Sequence, residues 1–204
     1  MSPPLSKTLN VVLLCIFGHA VLHSFVPPTA ALAGRKSGTN NNVSHSLRIT
    51  MMQCINAPYK ESQLHNCKME QFPNGTVGLN ISLTIPKVLN YLGLVVKTYY
   101  KYTTYRPFMI DWSIDYCQTA RNRNMSPASV VIMKIIQESL PEYSYPCPQG
   151  NITYDTFWMF EPRYVLQTLP SGNYRMDIFI KDAADNTLIA LQIFGAIRKQ
   201  GIIG

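Results

Sequence analysis

Between residues 77 and 85 apolar and polar side chains alternate without a break: Val77, Leu79, Ile81, Leu83 and Ile85 against Gly78, Asn80, Ser82 and Thr84. A period of two puts each set on its own face, so this segment predicts a strand with one buried side and with Asn80 facing water. The pattern recurs where Phe108, Ile110, Trp112, Ile114 and Tyr116 alternate with Asp111, Ser113 and Asp115, and again where Tyr174, Met176, Ile178 and Ile180 alternate with Arg175, Asp177 and Lys181. Leu92, Leu94 and Val96 lead towards Tyr100 and Tyr102, with Lys97 and Lys101 on the other face. Strand-like sequence also begins at Leu47 and fills about 188–197, and Pro73-Asn74-Gly75, Pro170-Ser171-Gly172 and Asp185-Asn186 supply turn chemistry between the runs. One segment breaks the rule: Ser126 is a good N-cap, Pro127 suits a first helical position, and no glycine or proline follows until Pro141. Apolar residues occur nearly all round this helix, so it is expected to be largely buried. The elements together predict a mainly β fold, an immunoglobulin-like β-sandwich or β-cup of seven to nine strands with one inserted helix near 127–140.

The N-terminus changes the picture. Lys7 precedes an apolar run from Leu9 to about Val26, followed by Pro27, Pro28 and the small-residue site Ala31-Leu32-Ala33. This predicts a signal peptide over 1–33; the alternative, a retained anchor, is disfavoured by the interrupted interior of the run. A polar tail over 34–45 and a single domain over 46–200 would remain. No later stretch is long and apolar enough to span a bilayer, the best being Val130–Ile136 with Lys134 inside it. Removal of 1–33 takes away Lys7 and Cys15, leaving 17 basic against 11 acidic side chains and four cysteines, Cys54, Cys67, Cys117 and Cys147. An even number in an oxidising compartment predicts two disulfides. Cys54–Cys67 and Cys117–Cys147 are favoured because each closes a local excursion, the second bracketing the helix; crossed pairings remain the alternative. Zinc is the rival use, but no C-x₂-C spacing exists and few histidines remain. Sequons at Asn42, Asn74, Asn80, Asn124 and Asn151 fit a glycosylated extracellular chain.

The search for reaction chemistry finds little. There is no G-x-S-x-G, H-E-x-x-H, C-x-x-C or phosphate-cradling glycine loop. Asp111 and Asp115 share a strand face, but alternation makes that face the polar one, so paired carboxylates for glycosidic chemistry are the weaker reading. No cofactor is expected. The stretch from Lys97 to Arg106 interleaves cations with tyrosines. Inside a cell that pattern fits single-stranded nucleic acid, a partner that secretion argues against. Two readings remain: an edge strand protected by its lysines, or a rim at which Lys97, Lys101 and Arg106 hold an anionic head group.

Four short motifs carry a resemblance: Tyr105-Arg106-Pro107-Phe108, Asp115-Tyr116-Cys117, Cys147-Pro148 and Leu169-Pro170-Ser171-Gly172-Asn173-Tyr174. In this order they resemble an insect secreted family of undefined function that includes the CheB chemosensory proteins and is related to the lipid-recognition (ML) superfamily. The resemblance covers about 46–198. It implies a sandwich opened into a hydrophobic cup and extracellular binding of a lipid or small hydrophobic ligand; a cell-surface receptor is a further candidate partner. The alternative is a glycosylated interaction module whose core is filled. If the sandwich is hollow, the inward stripes predict its lining: Leu79, Ile81, Leu83, Ile110, Trp112, Ile114, Met176 and Ile178, with Ile132 and Ile136 of the helix closing one side.

Overall fold

The structure, a computed structural model, describes residues 44–122 and 125–200. The expected signal peptide, the tail up to residue 43 and the sequons at Asn42 and Asn124 lie outside the described residues. In chain order the elements are β1 (Ser44–Cys54), β2 (Gln63–Gln71), β3 (Val77–Leu89), β4 (Gly93–Lys101), β5 (Tyr105–Asp115), α1 (Tyr116–Arg121), α2 (Pro127–Ser139), β6 (Gln149–Met159), β7 (Gly172–Lys181) and β8 (Thr187–Gln200). Ser44 and His45, expected as the end of the tail, are thus the first residues of β1. The strands form two antiparallel sheets of unequal width: five strands in the order β1-β8-β7-β4-β5 and three in the order β2-β3-β6.

That inequality decides where the core lies. The narrow sheet covers the β1–β8 side of the wide one, and there Met52, Leu79, Ile81, Leu83, Ile85, Trp158, Leu188, Leu191 and Ile193 pack together. Among the described residues no strand lies above the β4–β5 side. The helix α2 lies there instead, with Ile132 against Leu94 and Ile114. Ser126 caps this helix, its hydroxyl accepting from the Ser129 amide at 3.2 Å, with Pro127 opening the first turn. Contrary to expectation the helix is not largely buried: Ser129, Ile132 and Met133 are, whereas Val130 is 48% exposed. It rests on one sheet through one face, so its apolar outer residues meet water.

The alternation at β3 gives the register in full, its odd-numbered residues from Val77 to Ile85 being buried. Asn80 lies on the outer face, half-buried, with its amide reaching Glu70 at 3.4 Å. At β5 the pattern runs one residue too far. The strand ends at Asp115, whose carboxylate accepts from the Gln118 amide at 3.1 Å, and Tyr116 opens α1 rather than closing the strand. Tyr102, expected in line with Tyr100, stands in the β4–β5 turn at 61% exposure.

Two strands, β2 and β6, escape the alternation rule. Both are edges of the narrow sheet, and β2 (QLHNCKMEQ) offers only Leu64, Cys67 and Met69 as apolar side chains. Edge strands satisfy a ladder on one side only and need little apolar surface to hold their place. The disulfides are Cys54–Cys67, joining the end of β1 to β2, and Cys117–Cys147, joining α1 to the segment before β6 across 30 residues. The motif around Gly172 is also scaffold. Tyr174 donates its hydroxyl to the Pro170 carbonyl at 2.7 Å and Tyr100 donates to that of Ser171 at 3.1 Å. The Tyr100 ring lies where a side chain at position 172 would stand, which requires glycine there.

Candidate functional site

Inward-facing residues of the wide sheet are not all equally buried. Leu191 and Ile193 of β8 are buried, whereas Leu47 and Ile49 of β1 and, on the side beneath α2, Val96, Ile110, Trp112, Met176, Ile178 and Ile180 keep part of their surface although they point inward. The space they face is a part-enclosed cavity of about 310 Å³. That volume is at the lower end of the range of small-molecule sites.

The walls come from every layer. Ile81, Leu83 and Ile85 of β3 form one side, and Ile110, Trp112, Met176 and Ile178 of the wide sheet form another. Val131, Ile132, Ile135 and Ile136 of α2 close a third, because a 3.6-residue period brings them to one face of the helix. Tyr154 and Trp158 of β6 and the segment after it, through Phe160, Val165, Leu166 and Leu169, complete the enclosure.

Eight of the ten expected lining residues surround this cavity: Ile81, Leu83, Ile110, Trp112, Ile132, Ile136, Met176 and Ile178. Leu79 and Ile114 do not. Leu79 is 0% exposed between the sheets, and Ile114 is packed beside Leu94 under the helix. The three rim cations also lie apart from the lining. Lys97 is on the outer face of the wide sheet, 3.6 Å from Asp111. Lys101 sits over the Tyr105 ring, and Arg106 is exposed on the edge strand β5. A side chain at an odd position of β4 points away from the sandwich because Val96 and Thr98 point into it, so Lys97 and Lys101 cannot reach the cavity. Sequence reasoning missed β6 and the 160–169 segment, which have no clean period; their signal is aromatic density, with Trp158, Phe160 and Tyr164 in seven residues.

Most polar groups of the lining are engaged within the protein. Ser139 donates to the Ile135 carbonyl at 2.7 Å and accepts from the Trp158 indole at 3.1 Å. Tyr154 donates to Gln149 at 3.1 Å and accepts from the Gly150 amide at 2.8 Å. Thr98 donates to the Phe108 carbonyl and accepts from the Ile110 amide. Burial raises the phenol pKa of Tyr116 and Tyr154 above the ordinary value, and that of Tyr174 to about 12. These hydroxyls therefore stay neutral at physiological pH. Among the described residues no group of three or more His, Cys, Asp or Glu could hold a metal ion, and no helix is long and apolar enough to cross a membrane. Asp111 pairs with Lys97 and Asp115 caps α1, so both carboxylates serve the scaffold.

Fold and site together define a mainly β protein, a half-covered sandwich enclosing an apolar cavity. Residues 94–176, from β4 to β7, match the family described as Protein of unknown function (DUF1091). No curated protein matches the chain significantly. Among solved structures the chain is similar to a Niemann-Pick type C2 protein from the Japanese carpenter ant, at 8% identity over 71% of this chain and 97% of that one with a TM-score of 0.35. It is also similar to chicken MD-1 complexed with lipid IVa, at 8% identity over 74% and 99% of the two chains with a TM-score of 0.32.

Proposed function

We propose that this protein is a secreted, non-enzymatic binder that carries a small apolar ligand in the cavity between its sheets and α2. The observation that carries this reading is the set of inward side chains left half-buried around that space. Apolar surface left partly uncovered inside a sandwich is unfavourable by roughly 25 cal/mol per Å², and a ligand that covers it recovers that free energy less the cost of its own immobilisation. Secretion is supported by the leader-like residues 1–33 and by two disulfides. A chemosensory setting is supported by the resemblance in the motifs around Tyr105, Asp115, Cys147 and Gly172. The alternative of a filled-core interaction module has no use for a cavity.

The test is displacement of a neutral fluorescent apolar probe from the protein and from two tryptophan variants. Ile178→Trp, in mid-β7, fills the cavity and should weaken probe binding at least tenfold while the fold stays intact by near-ultraviolet circular dichroism. Ile114→Trp overpacks a site beside the cavity and should cost about 1–3 kcal/mol of stability with a smaller effect on binding. Equal binding by wild type and Ile178→Trp, or no probe binding at all, would remove the carrier reading.

A further inference from the structure

We infer that the cavity selects an electrically neutral ligand, a hydrocarbon or its ester or alcohol, and rejects the ionised form of the corresponding acid. The inference rests on the carrier reading above and narrows it to a chemical class. Among the described residues the lining contains no Asp, Glu, Lys, Arg or His. Its side-chain donors are few, and most are engaged within the protein. Thr98, Ser139, Tyr154 and Trp158 each spend their single O–H or N–H inside the protein. Tyr174 does the same, towards Pro170. Gln149 gives one amide hydrogen to the Tyr145 carbonyl at 2.7 Å, which leaves its second, the Trp112 indole N–H and the Tyr164 hydroxyl (an acceptor from Arg163 at 3.0 Å) as the donors not spent among the described residues.

An ionised carboxylate entering such a space gives up its water and finds neither a cation nor a set of N–H groups to replace it. Desolvation of an unpaired ion costs several kcal/mol even after relaxation, whereas an ester carbonyl costs far less. Arg175 Nε, the buried side-chain atom that lacks a partner among the described residues, does not change this. Arg175 is on the outer face of the wide sheet, stacked at 4.0 Å on Tyr99 and paired with Asp177 at 3.0 Å. The cations that could have held an anion are therefore turned away from the cavity, and the interior is left to shape and apolar contact.

The experiment uses the full secreted chain and three twelve-carbon competitors against a neutral fluorescent probe: methyl dodecanoate, dodecanol and dodecanoic acid. At pH 8 the ester and alcohol should displace the probe at least tenfold more effectively than the acid. Between pH 8 and 4.5 their affinities should stay level while that of the acid rises, as the carboxyl approaches its ordinary pKa range and takes up a proton. Equal displacement by acid and ester at pH 8, or tighter binding of the acid, overturns the neutrality inference and leaves the carrier reading standing. Failure of all three competitors on a protein that binds the probe overturns the neutrality inference alone. Failure of the probe itself overturns both.

Discussion

Asp182 holds the turn between β7 and β8 together. Its side chain accepts from the backbone amides of Ala184 and Asn186 at 3.0 and 2.9 Å, from the Asn186 side chain, and from Lys87 at 2.8 Å. Burial opposes its charge, but these donors outweigh burial and hold the carboxyl down at about 2. Glu61, on the other side of Lys87 at 2.9 Å, is lowered as well, chiefly by its hydrogen bond from that lysine. A carboxylate with a depressed folded pKa stabilises fully above its unfolded value near 4, and that contribution fades as pH falls through the folded value. Lys87 is raised above 10.5 by the same partners, so its share is complete below that pH and lost as pH climbs beyond it. Wild type should lose stability between about pH 4 and 2, and Asp182→Asn should flatten that limb while costing about 2 kcal/mol at pH 7. Urea midpoints across the pH series measure both effects, and parallel acid limbs in the two proteins would exclude this role for Asp182. None of this was legible in the sequence beyond a turn signal at Asp185-Asn186, because Glu61 and Lys87 lie far from Asp182 along the chain. Spacing within one strand likewise could not say that Lys97 would find Asp111 instead of a ligand.

Elements with a clean period were the legible ones. β3, β5 and β7 could be drawn from alternation, and α2 from its cap and its stop, since each presents a continuous apolar stripe to a single partner surface. What alternation could not supply was the coverage of that surface. Whether a stripe meets a second sheet or a helix depends on β2, whose sequence is too polar to announce itself, on β6, whose aromatic residues follow no clean period, and on α1, which begins where Asp115 turns from strand residue to cap. This is why alternation alone puts Ile114 and Leu79 on the cavity and leaves Trp158 off it. The helix α2 is attached to the rest of the chain by the Cys117–Cys147 bridge on either side of it. Closing a loop of this length stabilises by roughly 3–4 kcal/mol in the chain-entropy account, whose mechanism is disputed. Cys117→Ala/Cys147→Ala should therefore lower the urea-derived stability by about that amount, with probe affinity falling too because one wall is freed. A variant with unchanged midpoint and unchanged affinity would mean that sheet contacts alone position α2.

At the scale of the whole molecule, the core packed between the two sheets runs on into a space that both sheets and α2 line. A ligand that binds only the folded state should raise the unfolding temperature with its concentration, equivalent to about 2.7 kcal/mol at a hundred times its Kd. Differential scanning calorimetry with methyl dodecanoate measures this; a midpoint that ignores the ester would mean that the space is not a binding site. The stiff part of this enclosure and its adjustable part are different kinds of structure. A strand cannot move without breaking a ladder of backbone hydrogen bonds or flipping every side chain to the other face. A helix keeps all its backbone bonds internal, and α2 touches the sheet through a few side chains only. Substitutions at Val131, Ile135 or Ile136 can thus re-size the cavity by letting one rod shift, with both sheets unaltered. Related chains could then diverge in ligand while their strands stay in register, and diversity is expected to collect on the inner face of a single helix.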